Sequence, residues 1–234
     1  PHKTSSAASD VYKRQRLAGM SVEVIQLCNS NKLAGIALEA YEYAKSSGVE
    51  TRPFDAKLLD ECSSHKETLI VDAILGVGIN KSITGLYERA IVAINSANYP
   101  VLSVDLPSGL NADTGRAMGV AVEADITVSF LGLKQGLLTG EGQDYAGQVL
   151  FEHFNIPDNI YSSESSLKPS STRIDINYLE GRLKPRRKSA HKGDHGHVVV
   201  LGGDIGFGGA GIMAAEAAQR MGAGLVSLVT RNEY

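Results

Sequence analysis

Two oily runs limit most severely what this chain can fold into. Thr68–Leu75 (TLIVDAIL) and Val101–Asp105 (VLSVD) carry almost no polar alternation. A strand wetted on one face alternates, so runs of this kind read as strands covered on both faces, as in a parallel sheet between helices. Around them the same rhythm repeats. Ser21–Leu27 (SVEVIQL) alternates and is rich in β-branched residues, which predicts a strand. Asn31–Ser47 places Leu33, Ile36, Ala37, Ala40, Tyr41 and Ala44 at helical spacing, with Gly48 to stop it. Leu86–Ser96 puts Leu86, Ala90, Ile91 and Ile94 on one helix side. Asp125–Leu131 and Gln148–Phe154 read as further strands. Strand and helix in alternation imply crossover connections and a mostly parallel sheet, so the expected class is α/β, a Rossmann-like three-layer arrangement.

The rest of the chain divides by character. Residues 1–15 are polar and patternless, and their SDVYKRQ stretch resembles translated adapter sequence, so they are set aside as a non-native tail. Residues 16–160 hold the repeating pattern. Residues 161–190 read as a linker, with a Ser/Glu-rich start, one short helix near Tyr178 and the basic tract Leu183–Lys188. Residues 191–234 begin a second β-α-β unit: strand His197–Leu201, a glycine-rich loop Gly202–Gly211, helix Ile212–Met221 and strand Leu225–Thr230.

Composition removes several function classes. Of 234 residues, 43% are apolar, enough for a core, and 23 Lys plus Arg against 26 Asp plus Glu leave a net charge of −3. A nucleic-acid binder carries a basic excess. No apolar run nears the roughly 18 residues that span a bilayer. The two cysteines, Cys28 and Cys62, form no C-x-x-C pair, which argues against a disulfide framework or a thiolate zinc site and for a reducing, cytoplasmic setting. A homo-oligomer is compatible with all of this.

In an open parallel sheet, ligands bind beyond the carboxyl ends of the strands. Asp72 lies inside an oily run, where a carboxylate needs a cation, a donor cluster or a proton. Gly76 and Gly78 follow and let backbone N–H groups approach an anionic ligand. The alternative is a plain turn. Asp105 closes the next strand, and Pro107, Ser108 and Gly109 follow in a sharp turn, with an Asx-turn as the alternative. Two carboxylates and the Ser108 oxygens suit a hard cation or acid–base work. Lys134 follows a third strand, where a lysine reads either as a phosphate ligand or as solvated.

The segments VDAILGVGINKSITG, PVLSVDLPSGLNADTG and ADITVSFLGLKQGLLTGEGQDYAG, in this order, resemble the NAD(P)H-hydrate epimerase family over about residues 16–160. SAHKGDHGHVVVLGGDIGFGGAGIMAAEAAQRMGAGLVSLVTR resembles the opening of the ADP-dependent NAD(P)H-hydrate dehydratase domain, a ribokinase-like fold. The resemblance implies repair of a nicotinamide nucleotide hydrated at its ring. One half would interconvert the R and S epimers at C6, and the other would dehydrate the S epimer with ADP or ATP. It implies that Asp72 and Ser108 bind a potassium ion and that Gly76, Val77, Gly78, Ile79, Asn80, Lys81 and Ser82 wrap the hydrated dinucleotide. It further implies that Asp105 meets the substrate near the reacting ring as the acid–base group and that Ala210, in the glycine loop, touches substrate. The chain departs from the family in two places. The Asn-Asn-Gly-Gly-Asp-Gly loop expected upstream of Ser21 and the later Gly-Thr-Gly-Asp segment are both missing, which implies an internal piece of a longer protein.

Rival readings stand beside this one. Gly206–Gly211 fits G-x-G-x-x-G, with Glu233 as the acid downstream, the fingerprint of an NAD(P)-dependent oxidoreductase. A non-catalytic nucleotide-binding scaffold is a second rival. His191, Asp194, His195 and His197 suit a metal cluster or, better, a polar turn. Cys28 reads as a buried structural thiol.

Overall fold

The computed structural model describes residues 19, 21–28, 31, 33–46, 48–57, 68–161, 169–180, 182 and 185–231. The chain divides into two compact units between Ser171 and Thr172. The 1–15 segment, Cys62 and Glu233 lie outside the described residues.

The front unit begins with β1 (Glu23–Gln26), α1 (Ile36–Ser46) and β2 (Glu50–Pro53), and β1 pairs with β2 in parallel. The pattern predicts β1 and α1, the latter starting five residues later than its apolar spacing suggests. It does not predict β2, whose Glu-Thr-Arg-Pro sequence has neither alternation nor an apolar run. Next come β3 (Ile70–Asp72), α2 (Leu86–Ser96), β4 (Val101–Val104), β5 (Ile126–Phe130), a 3-10 turn at Gln135–Leu137, α3 (Gly142–Tyr145) and β6 (Gln148–Glu152). Their strands form a wholly parallel sheet in the order β3-β4-β5-β6, with Asp72 opposite Ser103 and Val104 opposite Val128. The β1–β2 ladder is separate from it, so the parallel pairing forms two sheets rather than the single one expected.

α2 matches its predicted span because its stripe is real. Ala90, Ile91 and Ile94 are buried and pack with Val101, Val122 and Ala124. A second cluster joins Leu106, Leu110, Ala112, Ala121, Leu137 and Ala146, with Val149 of β6 against it. β4 and β5 also bury small hydroxyls. Ser103, Thr127 and Ser129 are fully buried, and each donates its proton: Ser103 to Asp72, Thr127 to the Ala146 carbonyl and Ser129 to Asp105. Buried polar groups persist only when paired in this way.

β3 stops at Asp72, three residues short of the expected end. The Ile74 N–H donates to Asp72 Oδ1, and Leu75 N–H to Ser108 Oγ, so this backbone turns toward side chains instead of continuing the ladder. The turn after β4 depends on Gly109, at φ 99°, where a Cβ would lie 2.1 Å from the Val120 carbonyl oxygen.

The rear unit contains α4 (Ile176–Leu179), capped by Asp175 accepting from the Tyr178 N–H, then a 3-10 turn at Lys192–His195. Then follow β7 (His197–Leu201), α5 (Gly208–Arg220) and β8 (Leu225–Val229), with the strands parallel and His197 opposite Leu225. The expected glycine loop through Gly211 is shorter. Gly208, Gly209, Ala210 and Gly211 already belong to α5, so Ala210 sits in its first turn and not in the loop. Packing overrides the poor helix propensity of glycine: a Cβ on Gly211 would meet Leu228 Cδ1 at 3.2 Å and the Gly202 carbonyl at 3.3 Å.

Candidate active site

Because the sheet is parallel, the ends of β3, β4 and β5 open on one edge. Asp72 is the last residue of β3, and Asp105 directly follows β4. Both acids therefore stand on the same carboxyl edge, but in different surroundings.

Asp72 faces inward and is 1% exposed. Its Oδ2 accepts from Ser103 Oγ and the Ser108 N–H, both at 2.8 Å, and its Oδ1 accepts from Ser108 Oγ at 2.5 Å and the Ile74 N–H at 3.3 Å. Burial pushes this carboxyl above its usual range, and the four donors only partly pull it back. The donors are all neutral, so the carboxylate is hydrogen-bonded without a positive charge among its described partners. Ser108, fully buried, ties the turn after β4 to the turn after β3 through Asp72 and Leu75.

Asp105 faces outward. Its backbone sits at φ 72°, in the left-handed region, while its N–H still donates to the Val128 carbonyl at 2.7 Å. Its Oδ1 collects three donors: Ser129 Oγ at 3.5 Å, the Phe130 N–H at 3.1 Å and the Lys134 ammonium. Oδ2 accepts no hydrogen bond among the described residues. Lys134 also donates to the Phe130 carbonyl at 2.9 Å, and its side chain is only 16% exposed. The solvated reading of Lys134 is thus corrected. Sequence reasoning weighed this lysine as a phosphate ligand or as solvated, on its place just beyond a strand end, and missed its bond to Asp105.

Gly76–Ser82 lies on the same edge and is mostly exposed, Val77 by 54%. A Cβ on Gly76 or Gly78 would meet nothing within 4 Å, and neither has a positive φ. Neither turn geometry nor packing demands these glycines. The loop is moored by Asn111 Nδ2 donating to the Ile79 carbonyl at 3.0 Å and by the Ile83 N–H donating to the Met118 carbonyl at 2.7 Å. The structure therefore brings Asp72 with Ser108 into one bonded group and sets Asp105 in another, with no shared partner; Ala210 belongs to the rear unit. There His191 pairs with Asp194 at 3.6 Å and His197 Nε2 lies 2.9 Å from Ser227 Oγ. Cys28, expected to be buried, is partly exposed.

Comparison with known proteins fits this arrangement. Residues 13–136 match the family model described as YjeF-related protein N-terminus. A bifunctional NAD(P)H-hydrate repair enzyme of Coxiella burnetii is 39% identical over 221 residues, 92% of this chain and 43% of that one. The enzyme of the same name from Leishmania braziliensis is 38% identical over 96% of this chain and 40% of its own, and that of Escherichia coli 43% identical over 70% and 31%. The chain thus spans about two fifths of the length of these curated relatives. The crystal structure of yeast ynu0 superposes with a TM-score of 0.50 at 18% identity, over 61% of this chain and 58% of that one, a likeness of fold. By the match of its front unit, this chain belongs to the family of YjeF-related protein N-terminal domains.

Proposed function

We propose that the front unit epimerises hydrated NADH or NADPH at C6 of its nicotinamide ring. The observation that carries this reading is Asp105: a carboxylate on the carboxyl edge, with one oxygen held by three donors and the other open. The C6 hydroxyl sits beside the ring nitrogen. Inversion there follows when a base takes the hydroxyl proton, the C6–N bond opens as the carbonyl forms, and its electron pair passes to the nitrogen, conjugated with the carboxamide. Rotation and reclosure on the other face return the proton to the oxygen. Asp105 Oδ2 is the group that takes the proton and gives it back. The open glycine loop Gly76–Ser82 is the segment that would wrap the dinucleotide, its exposed N–H groups toward phosphate.

Potassium fits the oxygen set around Asp72. Carboxylate, hydroxyl and carbonyl oxygens are hard donors, and the Asp72 carboxylate, with Ser103 Oγ, Ser108 Oγ and the Leu75 carbonyl, offers all three kinds. Such an ion would supply the positive charge that the buried Asp72 lacks, through Asp72 and Ser108. The rear unit reads as the first β-α-β of a ribokinase-like dehydratase domain using ADP or ATP, with Ala210 toward substrate. The parallel β7–α5–β8 and the bifunctional names of the relatives support this. Epimerisation runs without that nucleotide. The partner is a small dinucleotide in the cytoplasm, and no helix among the described residues is long and apolar enough to cross a membrane.

The test is direct. Purified chain is incubated with the R epimer of NADH hydrate, and the S epimer is followed by chromatography. Its appearance above the uncatalysed rate is the expected result; no acceleration at any protein concentration defeats the reading.

A further inference from the structure

We infer that Lys134 is a positioning residue of this site, which holds Asp105 turned so that Oδ2 is the oxygen that meets the hydrated ring. The inference rests on the epimerase reading and extends it to a residue outside the expected set.

The geometry begins in the backbone. Two adjacent strands end in the same unusual way: Asp105 after β4 at φ 72° and Leu131 after β5 at φ 62°. Side chains other than glycine seldom adopt this region, and such positions concentrate where function holds them. The Leu131 N–H still completes the ladder to the Glu152 carbonyl at 3.1 Å, and the Gly132 N–H then turns back to the Phe130 carbonyl at 2.6 Å. This reversal returns Lys134 over the end of β5. Its ammonium reaches the Phe130 carbonyl and Asp105 Oδ1 together.

The distribution of partners distinguishes a working pair from a structural one. What marks this pair is that every donor among the described residues falls on the same oxygen, so the other is left for a ligand. Here Lys134, the Phe130 N–H and Ser129 Oγ all converge on Oδ1. Lys134 is largely withdrawn from water, so its charge acts on Asp105 with little screening. Among the described residues Lys134 is the one ionisable side chain bonded to Asp105. The partners from β5 are neutral, and Asp72 and Glu152, the acids that end β3 and β6 on this edge, are the same in every variant below.

The experiment compares Lys134→Met, Lys134→Gln and Lys134→Arg with wild type, using the full chain and NADH hydrate. Far-ultraviolet circular dichroism checks the fold; Gln stands in if Met does not fold. The expected result is a loss of kcat of roughly 10- to 100-fold with KM changed less than about threefold. Arg, which keeps the charge and the reach to Oδ1, should restore most of kcat. A Met or Gln variant with wild-type kcat overturns the role while leaving the epimerase reading intact. So does a lowered kcat that Arg does not rescue, or a loss that falls on KM instead of kcat. A wild-type chain that binds the hydrate without epimerising it overturns the reading and this role together.

Discussion

Ser108→Ala removes a single oxygen, but one that the structure uses twice. Ser108 Oγ donates to Asp72 Oδ1 at 2.5 Å and accepts from the Leu75 N–H at 2.8 Å. Its contact with the Leu75 carbonyl, at 3.2 Å, competes for the same proton and is the weaker claim. The side chain is fully buried, so water cannot readily replace the lost oxygen. A hydrogen bond to a charged group contributes about 1.5–3 kcal/mol, and an orphaned buried N–H costs about 1–3 kcal/mol. Together the loss should be about 3–5 kcal/mol, a large share of the roughly 5–15 kcal/mol typical of a folded domain. Urea denaturation followed by a probe in the front unit measures it as a lower midpoint at unchanged slope. A double-mutant cycle with Asp72→Ala isolates the Ser108–Asp72 term, expected at about 1.5–3 kcal/mol. If Ser108→Ala lies within about 1 kcal/mol of wild type, the clasp does not hold the two turns together.

Asp105→Ala should abolish epimerisation while leaving the circular dichroism spectrum unchanged, because its side chain lies outside both core clusters; retained turnover would remove Asp105 from the chemistry. Potassium should raise the melting temperature more than sodium at equal ionic strength, and Asp72→Asn should erase the difference; equal melting in the two salts in wild type would dismiss the ion. In potassium-free buffer Asp72 binds its proton more tightly folded than unfolded, so its contribution to stability is fullest at acid pH and declines as pH climbs from the usual carboxylate value through its raised one. Comparison of wild type with Asp72→Asn across that window should show the decline in wild type alone, and identical slopes would argue against it.

What the sequence revealed and what it hid separate along one line. α2 was legible to the residue because Leu86, Ala90, Ile91 and Ile94 encode its buried face locally. The acids at the ends of β3 and β4 were legible because a carboxylate in an oily run is conspicuous. The end of β3 was not, since one of the two bonds that stop it, Leu75 N–H to Ser108 Oγ, joins residues 33 apart in the chain. Lys134 looked like any loop lysine because its partner lies 29 residues upstream. The start of α5 was misjudged because three glycines there oppose a helix locally, whereas one of them, Gly211, sits close against Gly202 and Leu228. β2 carried no pattern at all.

The left-handed turn at Asp105 has a consequence for any effort to harden this protein. Glycine accepts that backbone freely, whereas a side chain there gives up about 1–2 kcal/mol. Asp105→Gly should accordingly melt later than Asp105→Ala, with neither turning over substrate. The carboxylate's bonds to Ser129, Phe130 and Lys134 offset that strain in the native chain, so a residue the bare backbone disfavours is kept in place by the same contacts that aim it.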